Sequence, residues 1–145
     1  MMQTVRTTRT SRRGFTMIEL LVVIVVLAAL AAIMLPRFMD AGQRSRETAL
    51  HGDLKLLRTA TEAFRQDTGL YPLALADLSA TSAPAQGSDG TADVNLDATK
   101  WHGPYLQAIA EDPVAAAAFT YTKTTGVVVS SATGNGLDGT AYSTW

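Results

Sequence analysis

One carboxylate stands at the head of a long apolar stretch. Glu19 is followed, from Leu20 to Leu35, only by Leu, Val, Ile, Ala and Met. An ionised carboxylate in hydrocarbon is costly unless it is paired or reaches the interface. Position alone leaves two readings open. The charge can be held by the free backbone N–H groups and dipole of a helix N-terminus, or it can meet a cation brought by another molecule. Just upstream stand Arg12, Arg13, Gly14 and Phe15, with Arg6 and Arg9 before them. No other group of residues suggests chemistry. There is no Ser/His/Asp order, no pair of acids flanking a cleft-like segment and no phosphate-binding glycine loop. His51 and His102 are far apart and there is no cysteine, so His51 reads as a surface or boundary residue rather than a metal ligand.

The elements that position Glu19 follow from hydropathy. Phe15 to Pro36 is long enough to cross a bilayer, which takes about 20 apolar residues. Arginines beside a spanning segment stay on the cytoplasmic side, so the N-terminus is expected inside and the rest of the chain outside. The competing reading is a secretory signal peptide cut near the small residues Ala28, Ala29, Ala31 or Ala32. Against it, the acid comes early in the apolar run and the sequence beyond the run continues as a helix. The overall net charge is −1, and with the four leading arginines set aside the remainder is acidic. Bulk charge therefore excludes a nucleic-acid binder.

Arg12-Arg13-Gly14-Phe15-Thr16-Met17-Ile18-Glu19-Leu20-Leu21 resembles the class III signal of type IV pilins and type II secretion pseudopilins. The resemblance implies that prepilin peptidase cuts between Gly14 and Phe15 and methylates the new N-terminus at Phe15. It also makes Glu19 the family's acidic residue. The chemistry is coherent. Cleavage creates an α-amine with a reference pKa of about 7.7–8.0 at the mouth of an apolar helix, and packing such helices into a filament buries it. A carboxylate on a neighbouring subunit can pair with that amine and set the axial stagger, because a buried charge left without its partner is strongly destabilising.

Pro36 breaks soluble helices but more often kinks membrane ones. Beyond it, Leu50, Leu54, Leu57 and Phe64 form an apolar stripe, with Ala60 beside it. Arg44, Arg46, Glu47, Asp53, Lys55, Arg58 and Glu62 are expected on the opposite face. Glu62 with Arg65 and Glu47 with His51 are candidate pairs across a turn. Gly69 and Pro72 end the helix near Thr68. A short helix is expected over Leu73–Leu78, a surface loop from Ser79 to Lys100, a turn at Glu111-Asp112-Pro113, and a hairpin pairing Ala118–Lys123 with Gly126–Ser131.

Gly69-Leu70-Tyr71-Pro72, Gly103-Pro104-Tyr105-Leu106, Asp112-Pro113 and a glycine-rich end finishing in Trp145 look like the major pseudopilin of the type II secretion system. That resemblance implies an α+β, pilin-like fold: a leader at 1–14, a transmembrane half-helix at 15–36, an amphipathic half at 37–68 and a small periplasmic domain at 69–145. It implies no enzymatic activity. The expected role is a pseudopilus subunit of the bacterial inner membrane, single-pass with its C-terminal domain in the periplasm. Its expected partners are copies of itself, prepilin peptidase, the assembly platform with its ATPase, and minor pseudopilins. A type IV pilin or minor pilin is the nearest rival, and a membrane-tethered periplasmic binding protein the rival of another class. The relatives usually follow Asp-Pro with Trp-Gly, whereas Val114 and four alanines stand here. Their C-terminal loop typically holds several acids that bind calcium. Here Gly134–Gly139 supplies only Asn135 and Asp138 as candidate ligands, and a plain glycine turn is the alternative.

Overall fold

The computed structural model describes residues 14–145, apart from the side chains of 35–40. The fold is α+β, with one long helix, two antiparallel two-stranded hairpins and short 3-10 turns. Helix α1 spans Met17–Thr68, and its backbone stays helical through Pro36. The chain divides into two units, residues 1–39 and 40–145. In the first unit α1 carries apolar residues around its whole circumference, and none of Met17–Met34 is buried.

In the second unit the expected stripe forms the core. Leu50, Leu54, Leu57, Phe119, Val128, Ala132 and Tyr142 make one buried cluster. Ala60, Phe64 and Leu78 make another, with Trp101 and Tyr105 packed against it. The Phe64 and Tyr105 rings lie 5.5 Å apart in a tilted arrangement. At the helix end, Gly69 takes a φ of +75°, and its N–H bonds the Arg65 carbonyl at 2.8 Å. This left-handed cap is where glycine is favoured.

The segment from Ser79 to Lys100 is not the simple loop expected. It contains a hairpin, β1 (Gln86–Ser88) and β2 (Asp93–Asn95), and a 3-10 turn over Ala98–Lys100. The hairpin closes through Asp89, whose Oδ1 accepts from the Thr91 and Ala92 N–H groups at 2.8 Å each. Tyr71 extends the pairing by exchanging two backbone bonds with Ser88. The expected short helix is a 3-10 helix over Leu75–Ser79.

The second hairpin pairs β3 (Thr120–Thr122) with β4 (Val127–Val129) in the register Thr120↔Val129. It lies inside the segments expected for it. Gly126 closes the turn with a φ of +70°, and a Cβ there would stand 2.3 Å from the Tyr71 ring. The turn at Asp112 wraps its own carboxylate, which is fully buried. It accepts from Ser130 Oγ at 2.5 Å and from the N–H groups of Val114 (2.8 Å), Ala115 (3.0 Å) and Ser131 (3.1 Å).

Lys123 Nζ bridges the two hairpins by donating to Asp93 at 2.7 and 2.8 Å, but both side chains are largely exposed. Exposed pairs of this kind contribute about 0.2–1 kcal/mol. Lys123→Ala should therefore lower the melting temperature by only a few degrees at most, and added salt should have nearly the same effect on the native chain. A larger loss in a thermal melt would mean that the bridge holds the hairpins together.

Candidate functional site

The N-terminal segment is built on helix capping. Gly14 and Phe15 precede α1, and Phe15 is 75% exposed. Thr16 is the cap. Its Oγ1 accepts from the Glu19 N–H at 3.2 Å, and Glu19 Oε2 in turn accepts from the Thr16 N–H at 2.9 Å and Thr16 Oγ1 at 2.8 Å. This reciprocal arrangement is a capping box, which satisfies donors that a helix start leaves free. In the single chain, the first of the two readings of Glu19 is thus realised: the carboxylate sits at the helix N-terminus, held by Thr16. Arg12 and Arg13 lie outside the described residues.

Below Glu19 the apolar surface is continuous. Met17–Met34 has a mean hydropathy of 2.9, and the segment is long and apolar enough to cross a membrane. Ile18, Leu20, Leu21, Val22, Ile24 and Leu27 are all at least half exposed. An apolar patch of that extent marks a surface meant for lipid or for other protein. Phe15, Ile18, Glu19, Val22 and Val23 line a shallow depression at its head, which places the carboxylate on the same side as Phe15.

At the other end of the sequence, Asn135 and Asp138 lie on a loop that folds back on α1. Asp138 Oδ1 accepts from the Thr140 N–H at 2.9 Å and Thr140 Oγ1 at 2.7 Å. These bonds to Thr140 hold its carboxyl below the usual range. Asn135 pairs through its backbone with Ala141. Among the described residues, no group of three or more His, Cys, Asp or Glu side chains could hold a metal.

The residue missed by sequence reasoning is Glu47. Expected on the solvent face and paired with His51, it is instead 8% exposed. Its Oε1 accepts from Gln43 Nε2 at 2.9 Å, the Leu137 N–H at 3.0 Å and the Tyr142 O–H at 2.8 Å. Burial pushes its carboxyl up, but these three bonds outweigh burial and hold it below the usual carboxylate range. The same burial raises the Tyr142 hydroxyl, reinforced by its bond to Glu47. The cause of the error is tertiary, since residues about 90 positions away cover that face. His51 is exposed, as expected, and stacks on Trp145 with ring centroids 4.2 Å apart. The expected pair of Glu62 and Arg65 is present at 3.8 Å.

Calcium takes about six to eight oxygen ligands at roughly 2.3–2.6 Å. Several of the nearby oxygens already face donors. The carbonyls of Gly134, Gly136 and Thr140 accept from the N–H groups of Tyr142, Gly139 and Gly136, and both carboxylates are engaged as described. With Asp138 as the loop's one carboxylate, and with no cluster of three or more acidic or histidine side chains among the described residues, the loop lacks the charged donor set that such an ion favours.

Residues 9–35 match the family model described as the prokaryotic N-terminal methylation motif. The match covers under a fifth of the chain and contains Arg12, Arg13, Gly14, Phe15 and Glu19. No curated protein and no solved structure matches the chain. The motif supports a type IV pilin-like substrate of prepilin peptidase, and the one long apolar helix among the described residues fits a single-pass membrane anchor.

Proposed function

We propose that this chain is a pseudopilus subunit of a type II secretion system. It is inserted as a precursor, cut between Gly14 and Phe15, methylated on Phe15, and polymerised through α1. The observation that carries the assembly reading is the position of Glu19. It is the one acid on a fully exposed apolar helix, four residues from the α-amine that cleavage creates. In the single chain Thr16 satisfies it. In the filament it pairs with the amine of a neighbour, and that pairing sets the stagger. The soluble part then faces the periplasm, and the energy comes from an assembly ATPase at the inner membrane. The preference for a pseudopilus over a type IV pilus rests on the Gly69–Pro72 and Gly103–Leu106 segments and the glycine-rich end with Trp145.

Mass spectrometry of the mature protein tests the processing step. The expected N-terminal peptide begins with N-methylated Phe15; a start near Ala29 or Ala32 would make the segment a signal peptide and end the filament reading. Deleting the gene separates the two machines. Loss of protein secretion with surface pili intact is expected, whereas loss of pili with secretion intact would assign the chain to a pilus.

A further inference from the structure

The loop from Ala132 to Trp145 returns to α1 at Glu47, and the polarity of that contact is the reverse of a cation site. In a calcium loop, the loop brings oxygens to a central positive charge. Here the helix brings the negative charge and the loop brings the donors, namely the Leu137 N–H and the Tyr142 O–H. We infer that a hydrogen-bond clasp centred on Glu47 closes this loop and takes the place of a metal, so that closure is independent of calcium. The inference does not rest on the filament reading.

The clasp has two connected layers. In the first, Gln43 Nε2 donates both to Glu47 Oε1 and, at 3.2 Å, to Tyr142 Oη, so helix and loop share one closed network. In the second, Asp138 holds Thr140, and Thr140 Oγ1 accepts from Trp145 Nε1 at 2.5 Å. Trp145 then packs between His51, on which it stacks, and Tyr142, which it meets edge-on at 5.1 Å. Arg58 completes the seat by donating to the backbone carbonyls of Trp145 and Val128. A cation placed against Glu47 would have to turn away the Leu137 N–H and the Tyr142 O–H. The Tyr142 O–H would then be left without an acceptor in a buried place, which is unfavourable.

Amide hydrogen exchange on the full chain in detergent tests this, with calcium chloride or a chelator as the probes. Neither probe should change the exchange of the Leu137 N–H or the melting temperature. Glu47→Ala should speed Leu137 exchange by about tenfold, the loss expected when a charged acceptor is removed. Tyr142→Phe keeps the ring and removes one donor, so it should give a smaller acceleration in a chain that still folds. Slower Leu137 exchange or a higher melting temperature with calcium would overturn the inference. So would native exchange rates at Leu137 in both variants.

Discussion

Glu19→Ala should be cut and methylated at Phe15 like the native chain, yet yield less assembled filament by more than about tenfold, the subunit remaining in the membrane fraction. The two roles of Glu19 predict different outcomes for a second variant. Glu19→Gln keeps an oxygen that accepts from the Thr16 N–H and hydroxyl, so the capping box survives. It cannot neutralise an α-amine. If capping alone mattered, Glu19→Gln would assemble normally and Glu19→Ala would be only mildly impaired, as loss of a cap is a modest effect. If charge pairing sets the stagger, both variants fail alike, because each leaves the Phe15 amine buried without its partner. Quantifying sheared filaments against membrane-bound subunit, with the mature N-terminus verified by mass, distinguishes the cases. Native filament yield from Glu19→Gln would sink the pairing argument.

The contrast between Glu19 and Glu47 shows how far the sequence could be read. The place of Glu19 at a helix head was legible because its surroundings are local: an uninterrupted apolar run of helical length begins directly after it. The buried stripe of Leu50, Leu54, Leu57 and Phe64 was legible for the same reason, since helical periodicity is a local property. Glu47 lies on the same helix and looked like one more solvated charge. Its burial depends on Leu137 and Tyr142, and no local pattern announces them. The β1–β2 hairpin was missed on composition. Its strands are Gln-Gly-Ser and Asp-Val-Asn, with a single β-branched residue between them. Only Asp89-Gly90, a favoured turn pair, pointed to it. Asp112 was placed in a turn, correctly, but nothing nearby in sequence indicated that Ser130 and Ser131 would bury it.

That burial carries the other large effect. Asp112 is fully buried, and its two oxygens serve four donors drawn from two segments, Val114 and Ala115 beside it and Ser130 and Ser131 beyond β4. Asp112→Asn keeps the shape but sets an amide N–H₂ against the Ser131 N–H, two donors facing each other. It should cost about 2–4 kcal/mol, seen as a fall in melting temperature of roughly 10 °C or more for a unit of this size. The pH dependence follows from the same contacts. Burial pushes the Asp112 carboxyl up, but the hydroxyl of Ser130 and the three N–H groups outweigh burial and hold it below its ordinary value. A carboxyl depressed by folding stabilises the native state fully above its unfolded value of about 3.9, and that contribution fades as pH falls through the lower folded value. The native chain should therefore lose stability below about pH 4, and the gap between it and Asp112→Asn should narrow over the same range. Melts of both proteins across that range measure the gap directly. A constant difference between them would show that the ionised carboxylate is not what holds the turn.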